Sequence, residues 1–74
     1  MNKIRRKQLS EIKGKLEDLM ADLESIKDEE EEARDNIPET MTERYEKADA
    51  ACENLDSAVG SLEEAIGYIE EATE

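Results

Sequence analysis

The chain has 74 residues, of which 43% are charged and 3% aromatic, and its net charge is −12. Proteins of this size bury little core alone and often depend on disulfides, a metal or oligomerisation. A single cysteine excludes an intrachain disulfide, and the lack of histidine argues against a zinc site and against triad or acid–base catalysis. We therefore predict one domain, residues 1–74, that is not an enzyme, binds no metal or cofactor, and depends on self-association.

The charge is unevenly distributed. Residues 1–20 hold six Lys or Arg and three Asp or Glu, a net of +3, whereas residues 21–74 hold four and nineteen, a net of −15. This acidic body predicts no binding of nucleic acid, because phosphate contacts need positive charge. No apolar stretch approaches the roughly 20 residues that span a bilayer, and no apolar segment follows the basic start. We expect no membrane association and a cytoplasmic location.

The first half of the chain carries a heptad repeat, which predicts an amphipathic helix over residues 3–34. The members at position a are Leu9, Leu16 and Leu23, and those at position d are Ile12, Leu19 and Ile26. The repeat weakens in the acidic run Asp28–Glu32. We interpret this run as a solvated helix end, with weak binding of a divalent ion as the alternative, since it lacks the ligand spacing of a calcium loop.

Pro38 is the only strong helix breaker in the chain, so a turn is predicted over residues 35–40. Thr40 followed by Glu43 has the spacing of a capping box and predicts the start of a second helix, over residues 41–73. Its heptad repeat is longer than the first. Position a holds Tyr45, Cys52, Val59 and Ile66, and position d holds Ala48, Leu55, Leu62 and Ile69.

Charge at position e predicts that the helices pair in antiparallel orientation, as a coiled-coil type hairpin. Position e is largely basic in the first helix and wholly acidic in the second. Antiparallel pairing brings these two stripes together, and the expected partners are Arg6 with Glu70, Lys13 with Glu63, and Lys27 with Asp49. The same fold would let the basic residues of the first turns neutralise the acidic end of the second helix.

A second face of the second helix carries no charge, which predicts a contact between hairpins. Alanine recurs every seven residues there, at position g, and small residues allow helices to approach closely. We expect the hairpins to associate into a four-helix bundle or a larger assembly. The expected interface consists of Ala51, Leu55, Ala58, Leu62, Ala65, Tyr68, Ile69 and Ala72. The alternative is that alanine is there as a good helix former.

Three small residues of the second helix have two interpretations each. Gly60 and Gly67 lie at position b, where solvent is expected, and either reflect tolerated variation or mark the approach of a partner. Cys52 lies at an apolar position a without a histidine partner, so a buried structural thiol is favoured over a nucleophile.

Several segments together resemble a group of short acidic proteins of Gram-positive gut bacteria and their phages that carry no assigned function. These segments are Met1–Leu9, Asp28–Glu30, Asp35–Glu39 and Glu43–Ala48. The resemblance implies a prophage or mobile-element origin and assigns no functional residues.

The sequence thus predicts a non-enzymatic, self-associating interaction or scaffold protein whose main partner is a further copy of itself. Whether it also has an unidentified protein partner stays open. The alternative is an acidic inhibitor that mimics nucleic acid and occupies a basic site on a phage or host enzyme. A mimic should present carboxylates spaced like phosphates along one continuous face.

Overall fold

The computed structural model, which describes residues 1–74, contains two α-helices and no strand. Helix α1 spans Lys3–Asp35 and helix α2 spans Thr42–Ala72. The helices pack against each other as a hairpin, and their ion pairs run in opposite chain order, so they are antiparallel. The predicted all-α helical hairpin is confirmed.

Local hydrogen bonds explain where the helices begin and end. The Asn2 side chain accepts a hydrogen bond of 2.8 Å from the Arg5 amide and caps α1. The Asn36 amide still bonds back to α1, and the segment before α2 is closed by the Met41 amide, which donates to the Pro38 carbonyl at 2.9 Å. The predicted cap at Thr40 was wrong: Met41 is the N-cap of α2, and no side chain bonds to the free amides there.

The core is a thin seam between the helices. Only Cys52, Val59 and Ile66 are buried, with 4%, 6% and 8% of their surface exposed, and all three occupy position a of α2. The leucines at position a of α1 are half-buried, as are Leu55, Leu62 and Ile69 at position d of α2. A single seam this narrow leaves much apolar surface in water.

The sequence-based seam of α1 was wrong by a rotation of the helix. Ile12, Leu19 and Ile26, expected in the core at position d, are 45%, 58% and 54% exposed. Position e replaces them: Lys13, Met20, Lys27 and Arg34 are half-buried against α2. Long basic side chains can do this because their methylene stems cover apolar neighbours while the charged ends reach water or an acid.

Candidate interaction surface

One edge of the hairpin is closed by three ion pairs between the helices. Lys13 Nζ lies 3.0 Å from Glu70 Oε1, Lys27 Nζ lies 3.2 Å from Asp56 Oδ1, and Arg34 Nη1 lies 2.9 Å from Asp49 Oδ1. All six residues occupy position e, the side of the seam next to the buried position a of α2. We call this side the charged edge. Its basic side chains lie beside the core and shield it from water.

These pairs correct the expected register by one heptad. Lys13 pairs with Glu70 instead of Glu63, and Lys27 pairs with Asp56 instead of Asp49. Arg6 has no carboxylate within ion-pair distance, and Glu63 has no cation within that distance. Charge counting could not separate the registers, because each gives three opposite pairs and leaves Met20 facing an acid.

Arg34 and Asp56 are members of the charged edge that the sequence prediction missed. Arg34 follows Lys27 by seven residues, so extending the position e series by one heptad would have found it. It binds Asp49 and also Asp35, whose Oδ1 lies 3.1 Å from Arg34 Nε. Arg34 reaches Asp49 because the observed register of the two helices brings the end of α1 level with residues 48 and 49 of α2.

The same offset leaves the start of α1 without the partners expected for it. The molecule is 59 Å long, whereas a helix of 33 residues spans about 50 Å, so the helices overlap incompletely. The basic residues of the first turns are exposed, and none forms an ion pair. They are Lys3, Arg5, Arg6 and Lys7. The expected neutralisation by Glu70, Glu71 and Glu74 was wrong, because Glu70 binds Lys13 and neither Glu71 nor Glu74 lies within ion-pair distance of a cation.

Hydrogen bonding and burial shift pKa values along the charged edge. The bonds to Glu70 and Asp56 raise the pKa values of Lys13 and Lys27, and the bond to Asp35 raises that of Arg34. Desolvation raises the pKa of the Cys52 thiol, against a lowering by nearby Arg34. Since the thiolate is the reactive form, this environment favours an inert thiol.

The opposite edge of the hairpin is apolar and open. Position d of α1 and position g of α2 both lie on the side of the seam away from the ion pairs. They carry the exposed Ile12, Leu19 and Ile26 and the alanine stripe of α2. We call this surface the apolar face. It adjoins the half-buried Leu55, Leu62 and Ile69 at position d of α2.

The residues predicted for the oligomer interface lie on or beside the apolar face. Five of them are half-buried: Ala51, Leu55, Leu62, Ala65 and Ile69. Ala58, Tyr68 and Ala72 are exposed. The sequence prediction left out Ile12, Leu19 and Ile26, because it placed them in the core of the hairpin. Their seven-residue spacing does show that the three side chains lie on one face of α1.

Other surfaces have less definite chemistry. A Cβ atom built on Gly60 or Gly67 would meet nothing within 4 Å, so neither position is constrained by close packing within the hairpin. No three Cys, Asp or Glu side chains are grouped to hold a metal ion. Neither helix has a segment long and apolar enough to cross a membrane.

The chain matches no family model, no curated protein and no solved structure in the comparisons with known proteins. The surface itself therefore carries the functional argument.

Proposed function

We propose that this chain is a non-enzymatic, self-associating interaction or scaffold protein of the cytoplasm, of phage or mobile-element origin. The observation that supports this proposal is the apolar face, where three large side chains of α1 lie half-exposed beside the uncharged alanine stripe of α2. Water contact with such a stripe is unfavourable, at about 25 cal/mol per Å² of apolar area. A further copy of the chain would remove that contact.

The total surface supports the same proposal. The hairpin exposes 5748 Å², whereas a compact folded monomer of 8.4 kDa exposes about 4,600 Å². The excess, about 1,100 Å², is comparable to the roughly 800 Å² that each partner contributes to a stable interface. Association through the apolar face would bring the exposed area per protomer close to that of an ordinary globular domain.

Sedimentation equilibrium at micromolar concentration tests the proposal. Wild-type protein should be a dimer or larger, and Leu19→Glu or Ala65→Glu should shift it toward monomer, because each would bury an unpaired carboxylate. Ala21→Glu and Ser57→Glu are matched controls, since both add the same charge at exposed sites on the other side of their helices. A fully helical wild-type monomer would refute self-association.

The nucleic-acid mimic remains the second candidate, and the free carboxylates of α2 favour it. Asp49, Asp56 and Glu70 bind cations across the seam, but Glu53, Glu63, Glu64, Glu71 and Glu74 form no ion pair. A mimic should compete with duplex DNA for a basic DNA-processing enzyme, and changing Glu53, Glu64 and Glu71 to glutamine should abolish that competition without changing the oligomeric state. If Leu19→Glu loses the competition and the triple glutamine variant keeps it, the competition depends on the assembled form and not on these carboxylates.

We also propose that nucleic acid itself is not a partner. The net charge of −12 opposes approach to phosphates, and the only dense basic cluster is confined to residues 3–7. A submicromolar, salt-dependent complex with DNA or RNA at physiological salt would contradict this.

A further inference from the structure

We infer that two hairpins associate about a two-fold axis parallel to their helices, so that α1 of each protomer packs on α2 of the other. This inference rests on the proposed self-association and specifies its geometry. The large side chains of the apolar face, Ile12, Leu19 and Ile26, would then contact the partner's Ala72, the partner's Ala65 and the partner's Ala58.

The ion pairs fix the levels of the two stripes along the hairpin. In antiparallel helices, one residue earlier on α1 matches one residue later on α2. The pair of Lys13 with Glu70 therefore places Ile12 about 1.5 Å, the rise of one residue, from the level of Ala72. The pair of Lys27 with Asp56 places Ile26 at the same small offset from Ala58. Since both stripes repeat every seven residues, Leu19 has the same offset from Ala65, and each large side chain of α1 has an alanine close to its own height on α2.

This matching of sizes favours one symmetry over the other. A two-fold axis along the helices leaves every residue at its level and places α1 over the partner's α2, so each large side chain meets an alanine. A two-fold axis across the helices places α1 over α1 and α2 over α2. Large side chains would then meet large ones between the two α1 helices, and alanine would meet alanine between the two α2 helices. The α1 helices would have to lie far apart and the α2 helices close together in the same interface. Side chains of complementary size fill such an interface more evenly.

Charge favours the same arrangement. Helix α1, residues 3–35, holds eight Lys or Arg and eleven Asp or Glu, a net charge of −3. Residues 42–74 hold two and ten, a net of −8. The axis along the helices puts the two strongly acidic α2 helices on a diagonal of the bundle, with a less acidic α1 between them. The axis across the helices makes them neighbours, which like-charge repulsion opposes.

Disulfide trapping between single-cysteine proteins tests the arrangement. With Cys52→Ala as background, Leu19→Cys and Ala65→Cys are prepared separately, mixed, unfolded in urea, refolded together and oxidised in a glutathione buffer. Direct disulfides form only when the Cα atoms come within about 7 Å, and mass spectrometry separates mixed from like pairs. Random pairing of equal amounts would give about twice as much mixed product as either like product, so we expect mixed product well above that ratio.

The outcomes distinguish this inference from the proposed function. A mixed product that exceeds random pairing supports it, and Leu19→Cys with Ser57→Cys should give no link, since position 57 lies on the outer side of α2. Leu19 lies near the middle of α1, so strong linkage of Leu19→Cys to itself would indicate the axis across the helices and overturn the inference. Sedimentation as a dimer without any excess of the mixed link would also overturn it while leaving self-association intact. A wild-type protein that is monomeric and fully helical would refute both.

Discussion

Lys13 Nζ lies 3.0 Å from Glu70 Oε1, and this pair distinguishes between the two heptad registers that the charge pattern allows. A double-mutant cycle with Lys13→Glu and Glu70→Lys should show coupling at low salt, because the charge swap restores an opposite pair. The expected change in melting temperature is small, since both side chains are partly in water. The matched cycle of Lys13→Glu with Glu63→Lys should show none. Coupling to Glu63 but not to Glu70 would indicate the other register.

The buried position a of α2 should dominate the stability of the hairpin. Ile66→Val removes one methyl group from the core and should lower the free energy of unfolding by about 0.5–1.5 kcal/mol. Ile4→Val makes the same chemical change at a position that is 70% exposed, and its effect should be within about 0.5 kcal/mol of zero. Urea unfolding followed by circular dichroism measures both. Equal effects would mean that Ile66 is not in the core.

Gly60→Ala and Gly67→Ala should each stabilise the protein by about 0.8–1.0 kcal/mol, because alanine is the better helix former and a Cβ meets nothing there. Gly14→Ala is the control on α1, where the space is also open. Sedimentation of the same variants separates the two interpretations of these glycines. If only the variants of α2 weaken self-association while raising helix stability, a partner approaches at position b.

Stability should fall at alkaline pH in two steps. Burial raises the pKa of Cys52 above its ordinary value of 9.0, so the unfolded chain ionises first, and this contribution is lost as the pH rises past about 9.0. Hydrogen bonds raise the pKa values of Lys13 and Lys27 above 10.5, so their contribution is complete below 10.5 and is lost as the pH rises through the higher folded values.

Thermal melts from pH 7 to pH 12 measure both steps. Cys52→Ala should lack the first step, and Lys13→Met combined with Lys27→Met should lack most of the second. A melting temperature of Cys52→Ala that falls in parallel with wild type around pH 9 would contradict the assignment of the first step to the thiol.

Some features of the fold follow directly from sequence patterns, and others do not. Pro38 between two heptad repeats is sufficient to predict a hairpin, and the repeat of α2 correctly predicts the buried Cys52, Val59 and Ile66. A pattern that sorts residues only into apolar and polar cannot predict the seam of α1. Lys13 and Lys27 are amphipathic, and their methylene stems pack at the seam although their ends are charged. The register of the helices cannot be predicted in this way either. Charges repeat every seven residues on both helices, so a shift of one heptad leaves the number of opposite charge pairs unchanged.

The two edges of the hairpin should respond to ionic strength in opposite ways. Added salt screens the ion pairs of the charged edge, which are partly exposed, and so loosens the contact between α1 and α2. It also screens the repulsion between protomers that each carry a charge of −12, and salts excluded from protein surfaces favour burial of the apolar face. Concentrated sulfate should therefore shift the population from separate hairpins toward the assembled form, and dilute buffer should do the reverse.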